Sequence, residues 1–281
     1  MTITGYLRDL APDLADGGAV VYRLELDTGP VDLMPHLGRP VRLVHTGEKA
    51  CVWCGRRVKK LFPNGSCYPC FRDLPQNDLC VVNPHTCHYE TCRDQKWGDA
   101  HCMVPTYLYL ARSSDIKVGL SRNLPGRWLE QGAVEAVPIA RLPNRRMAGE
   151  LEQLLSRHLP DKTNWRKMLR GEVSAAPLEE VRQQVLALVP EEYRPYLLPE
   201  DEQVTWRFSY PVTGPVESVS PVDLDRGPAA GILVGMKAKY LLLAADPEAR
   251  AAGKVQVVNI PKYAGYHVKI DFSSLESVSG V

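Results

Sequence analysis

The sequence predicts an α+β protein with a zinc-binding, β-rich N-terminal module, a central small sheet with flanking helices, and a C-terminal small β domain. Three observations predict it. Two Cys-x2-Cys pairs, Cys51/Cys54 and Cys67/Cys70, are separated by twelve residues. Tyrosines alternate with aliphatics through Tyr107-Leu-Tyr-Leu-Ala111, a second short β-like run follows at Ile116–Leu120, and helical periodicity comes next. From Val204 onward, β-like runs recur between glycine- and proline-containing turns. The segments read as 1–50, 51–103, 104–170, 171–203 and 204–281.

Residues 1–50 form a small β element, with β-like runs at Ala19–Leu26 and Val41–Val44. It is too small to bury much alone, so its partner is either the cysteine-rich segment or the C-terminal strands. In the next segment each Cys-x2-Cys turn can offer two thiolates to one ion, and Arg56–Gly65 is long enough for a hairpin between them. That spacing is the signature of a tetrahedral zinc ribbon, structural because Cys51, Cys54, Cys67 and Cys70 fill all four positions. Cys80, Cys87, Cys92 and Cys102 form a second set, with His85, His88 and His101 interspersed. Their irregular spacing supports a second Zn2+ without fixing its ligands, and buried thiols are the alternative. Eight cysteines without a secretory leader point to metal rather than disulfides. Trp53, Phe62, Tyr68, Phe71, Tyr89 and Trp97 are expected to pack around these sites.

In the central segment the two short runs flank the polar stretch Arg112–Asp115 and read as a β-hairpin. Ser121–Gly132 carries a cap, an early proline and a terminal glycine, which predicts a short helix. A longer helix is expected over Arg145–His158. At about 100° per residue, Met147, Leu151, Leu154, Leu155 and His158 share its apolar face, and Glu152 borders that face. Glu150 lies on the opposite edge, within pairing distance of Arg146.

In order and spacing these residues resemble the GIY-YIG nuclease family. Tyr107 stands at the first tyrosine and Lys117-Val118-Gly119 at the Tyr-Ile-Gly tripeptide, with Lys117 in place of the second tyrosine, as in some divergent branches. Arg127 falls eight residues after Gly119, Glu152 lies on the later helix, and Asn164 follows it by twelve. The whole chain also resembles an uncharacterised bacterial family, DUF2797, in which a cysteine-rich segment precedes such a hairpin. The first resemblance implies a GIY-YIG-like fold and metal-dependent phosphodiester hydrolysis of DNA or RNA. Glu152 would hold Mg2+ or Mn2+, Tyr107 would handle the proton of the nucleophile with help from Lys117, Arg127 would neutralise phosphate charge, and Asn164 would orient the site.

Beyond it, Thr163–Leu169 reads as a capped turn or short helix and Pro177–Val189 as an amphipathic helix. The β-like runs of the last segment are Val204–Tyr210, Gly231–Leu243, Lys254–Ile260 and Tyr266–Phe272. They suggest a small barrel or sandwich, with Gly231 and Gly235 allowing a bulge or close approach and 273–281 a loose tail. Net charge is only +1, but residues 104–170 hold 12 basic and 6 acidic side chains, against 10 and 15 in 171–281. The positive excess therefore falls where an anionic substrate needs it. No apolar stretch reaches membrane-spanning length, and a cytoplasmic protein is expected. Two other functions fit the same residues. One is a noncatalytic protein that binds nucleic acid or another partner, and the other is a small-molecule enzyme that reuses the Tyr/Arg/Glu cleft.

Overall fold

The computed structural model describes residues 1–159 and 164–272; Thr163 and the stretch 273–281 lie outside the described residues. The fold is α+β. The chain opens with β1 (Thr2–Leu14), β2 (Val20–Leu26), β3 (Gly29–Asp32) and β4 (Pro40–Lys49), followed by α1 (Tyr68–Asp73), α2 (Leu79–Val82) and α3 (Gln95–His101). The middle holds β5 (Thr106–Arg112), β6 (Ile116–Ser121), α4 (Gly126–Glu130), β7 (Glu135–Leu142), α5 (Arg145–Ser156), α6 (Trp165–Arg170), α7 (Leu178–Ala187) and β8 (Trp206–Arg207). Last come β9 (Ser218–Pro221), β10 (Ala229–Lys237), β11 (Tyr240–Ala244), α8 (Pro247–Ala251), β12 (Lys254–Asn259) and β13 (Tyr266–Phe272).

These elements make two compact units, Met1–Phe71 with Ser209–Val281, and Arg72–Phe208. The first is built on a nine-stranded sheet in the order β3-β2-β1-β13-β4-β10-β11-β12-β9. Of the two partners considered for residues 1–50, the C-terminal strands provide the ladders: β13 lies between β1 and β4, and β4 also pairs with β10. The C-terminal strands are therefore not a barrel or sandwich of their own. Gly231–Leu243 is not one strand either, because the chain reverses at Ala238, at φ 54°, and returns as β11. Gly231 and Gly235 do allow close approach: a Cβ on the former would stand 2.3 Å from the Ala244 carbonyl oxygen. A register shift between Leu233 and Gly235 marks a bulge.

Lys237 on β10 is a misfit in this core. It is only 5% exposed, and its ammonium lies over the Tyr210 ring at 5.4 Å from the centroid. Burial pushes its pKa down to about 8. An unfolded lysine titrates near 10.4, so between pH 8 and that value the unfolded chain binds more protons and stability rises with pH. Lys237→Met is expected to stabilise the protein by about 2–3 kcal/mol at pH 7. In urea titrations the gain should shrink as pH rises through that window; a loss of stability at pH 7 would contradict the reading.

The second unit holds the four-stranded sheet β6-β5-β7-β8. Leu108, Leu110 and Val118 on one face join Val137 and Ile139 in a core with Leu151 and Leu155 of α5 and Val181 and Val185 of α7. Alternation puts Tyr109 on the other face, edge-on to the buried Trp128 of α4 at 5.8 Å. The hairpin register sets Tyr109 opposite Gly119 and Ala111 opposite Lys117. Helix α5 starts at Asn144, whose side chain accepts the Met147 N–H at 2.9 Å. Arg146 and Glu150 pair across one turn at 3.0 Å. The helix ends at Ser156, two residues before the expected stop, so His158 is exposed rather than on the apolar face. No described helix is long and apolar enough to cross a membrane.

Candidate active site and metal centre

Cys51, Cys54, Cys67 and Cys70 form a group positioned to bind a metal, consistent with zinc. The sulfurs of Cys54 and Cys67 are 3.7 Å apart, near the roughly 3.8 Å edge of a tetrahedron with Zn–S bonds of about 2.3 Å. Burial raises the Cys51 thiol's pKa, but the backbone N–H groups of Cys54, Cys67 and Trp53 outweigh it and bring it down, while Cys70 in the same cluster is pushed up by burial and by its hydrogen bonds to the other thiols. The backbone donors at Cys51 favour the thiolate that a metal needs. Among the aromatic residues expected to cover the metal, Phe62 stacks on Phe71 at 5.4 Å, while Trp53 and Tyr68 stay largely exposed.

The second cysteine set lies in the other unit, so residues 51–103 are not one module. Cys80, Cys87, Cys92, Cys102 and His88 line a small cavity there. His101 does not join them; its Nδ1 meets the Trp97 carbonyl at 2.9 Å and its ring stacks on Trp97. His85 faces a different opening, the cleft that carries the candidate active site.

That cleft has a volume of about 500 Å³ and brings together Lys117, Arg127, Arg145 and Glu152. Helix α5 forms one wall, and the opposing wall is Val81–His85. Gly149 makes this possible, because a Cβ there would meet the Pro84 Cβ at 2.6 Å and the His85 nitrogen at 2.8 Å. Arg145 reinforces the junction by donating from Nη2 to the Val81 carbonyl at 2.6 Å.

The cleft is charged, and its charged groups are partly buried. Burial raises the Glu152 pKa, against the opposing pull of Arg145, Lys117 and Arg127. Burial lowers the Lys117 pKa and Arg127 adds to the effect, while Glu152 resists it. Arg127 is half-exposed and leans on Glu130 at 3.3 Å. Behind these groups the Tyr109 hydroxyl, Gln131 Oε1 and Arg145 Nε are buried, with Gln131 and Arg127 the nearest polar groups to the hydroxyl and neither in good hydrogen-bond geometry with it. Burial pushes the Tyr109 phenol up to about 12, although Arg127 pulls it down. A Cβ on Gly119 would stand 2.6 Å from the Tyr109 oxygen, so the glycine of the Lys-Val-Gly tripeptide makes room for that hydroxyl.

Two of the expected site residues stand elsewhere. Tyr107 is half-buried with its ring near the Arg141 guanidinium, at 5.7 Å, and does not line the cleft. Asn164 is exposed and caps α6, its side-chain oxygen accepting the N–H groups of Arg166 at 3.1 Å and Lys167 at 3.2 Å. Sequence reasoning overlooked Tyr109, Arg145 and the Val81–His85 wall. Tyr109 had a partial signal: a hairpin loop of 113–115, one residue shorter than the polar run Arg112–Asp115, pairs Arg112 with Ile116 and sets Tyr109 across from Gly119.

A search of curated proteins and a search of solved structures each give no match to the chain. A family model described as "Protein of unknown function (DUF2797)" matches residues 38–268, covering most of both units. The chain belongs to the DUF2797 family.

Proposed function

We infer that the cleft is a GIY-YIG-like site for divalent-metal-dependent hydrolysis of phosphodiester bonds in DNA or RNA. The observation that carries this reading is the meeting of Lys117, Arg127 and Glu152 in one cleft, in the order and spacing of that family's pattern. Arg127 and Arg145 beside the Glu152 carboxylate suit an anionic substrate.

Glu152 is the group to hold Mg2+ or Mn2+, which supplies Lewis-acid polarisation of a nonbridging oxygen. Arg127 neutralises charge developing on the transferring phosphoryl group. Tyr109 is nearer to this site than Tyr107: it does not line the cleft either, but it is buried behind it against Gly119, close enough for Arg127 and Glu152 to act on its phenol, and it supports the Lys117-Val118-Gly119 strand. Lys117 is shifted toward the free amine and takes the proton from the attacking water. The water oxygen bonds to phosphorus, the ester P–O bond breaks, and the departing oxygen is protonated from solvent. Asn164 holds α6 and has no part in the chemistry.

Both ionisations favour high pH, since Lys117 works as the amine and Glu152 as the carboxylate. Cleavage is therefore expected to rise with pH, and Lys117→Met to lower the rate by on the order of 10²-fold and flatten the alkaline part of the rise. A Lys117→Met profile parallel to that of the parent protein would remove Lys117 from proton transfer.

The test of the function is to incubate the zinc-loaded protein with mixed DNA and RNA, without divalent ion and with Mg2+ or Mn2+. Cutting that requires the ion supports the reading. Binding without cutting would favour a noncatalytic nucleic-acid protein. A cleft of about 500 Å³ also suits a small molecule, and neither cutting nor binding would favour that reading.

A further inference from the structure

We propose that Cys80, Cys87, Cys92 and Cys102 bind a second structural zinc ion, and that this ion holds the Val81–His85 wall against the cleft. The stretch 72–103 has almost no core of its own. Its fully buried residues are only Pro75, Pro84 and Gly98, while Leu79 and Val82 are 76% and 77% exposed. Hydrophobic burial cannot order about thirty residues on that basis, and segments of this kind are usually held by a metal or by disulfides. All eight cysteines are free thiols, and four of them line a cavity of about 20 Å³, room for a single ion or water.

The backbone presents two of these thiols in the same way. Pro84–Thr86 and Tyr89–Thr91 are matching single turns, each followed by a cysteine with extended backbone, Cys87 at φ −57° and ψ 129° and Cys92 at φ −57° and ψ 139°. In each, the threonine hydroxyl donates to the carbonyl at the start of the turn, Thr86 to Asn83 at 2.8 Å and Thr91 to His88 at 3.3 Å. Cys80 comes from α2 and Cys102 from the end of α3, where its carbonyl accepts the Arg145 N–H at 2.8 Å. The ion would thus gather four short elements that bear on α5.

Asp78, Cys80 and His88 also lie close enough to share an ion. Asp78 is otherwise engaged, however: its carboxylate pairs with Arg93 at 3.0 Å and accepts the Cys80 N–H at 3.3 Å. An arginine on that carboxylate competes with any cation, which leaves the four cavity thiols as the ligands; no three of their sulfurs yet lie within 4.8 Å of one another, so the ion would draw them together.

The test is the metal content of the full chain, grown with zinc and dialysed. The parent protein is expected to hold two zinc ions per chain, Cys87→Ser and Cys92→Ser one each, and His88→Ala two. If the serine variants do not fold, Co2+ exchanged into the parent gives a second readout. It should saturate at two equivalents, both with the sulfur-to-cobalt bands of four thiolates. One zinc per chain, or cobalt saturating at one equivalent, would overturn the proposal. So would zinc lost from His88→Ala but kept by Cys92→Ser, or a disulfide among the four. None of these readouts depends on cleavage, so the second ion and the proposed activity stand or fall separately.

Discussion

Glu152→Gln is expected to lower the single-turnover rate of metal-dependent cleavage by on the order of 10²–10³-fold, with the fold and the zinc content unchanged. Glutamine keeps the volume of the side chain and its place on α5 but carries no charge to hold a divalent ion. It also leaves Arg127 and Arg145 in the cleft with no anion between them. Substrate phosphate can relieve that repulsion, so nucleic-acid binding should persist or tighten while cleavage is lost. Rate and binding measured on the same preparation separate the two effects. Equal rates in the parent and variant would remove Glu152 from the chemistry.

Gly149→Ala should have the second largest effect, and it acts through packing. The added methyl would meet the Pro84 ring and the His85 backbone nitrogen, neither of which is the free end of a flexible side chain. Alanine is the better helix former by about 1 kcal/mol, but overpacking of this kind costs about 1–3 kcal/mol and the clash is severe. The turn from Pro84 to Thr86 must then move off α5, taking one wall of the cleft with it. The melting temperature is expected to fall by several degrees and cleavage to drop by at least tenfold, with Cys51, Cys54, Cys67 and Cys70 keeping their metal. A more stable and fully active Gly149→Ala variant would show that the close approach is not needed.

Much of the cleft was legible because its residues follow local rules. The alternation around Tyr107 fixed a hairpin, the glycine of Lys117-Val118-Gly119 fitted its second strand, and helical periodicity put Glu152 at the edge of the apolar face of α5. Parity alone could not choose between Tyr107 and Tyr109, because residues two apart on a strand share a face; the choice rests on which of them faces Gly119. Asn164 matched a spacing, yet the same residue type is also an ordinary helix cap, and that is the use it has here.

What was not legible depends on long-range pairing. The alternation in β1 is irregular, and its partner β13 lies more than 250 residues away, so nothing local announced that the two ends of the chain share a sheet. The reversal between β10 and β11 uses Ala238 and Lys239, without the glycine or asparagine that ordinarily marks such a turn. Gly149, in contrast, left a trace. A glycine inside an otherwise good helix has a cost, and here close packing explains it.

The measurement that bears most directly on the proposed site is cleavage of one pool of DNA and RNA by the parent protein and Glu152→Gln, side by side, with Mn2+ and at equal zinc content. Cutting by the parent protein alone, and only with the divalent ion, is the predicted result. Cutting by both at the same rate, or by neither while both bind the pool, would contradict it.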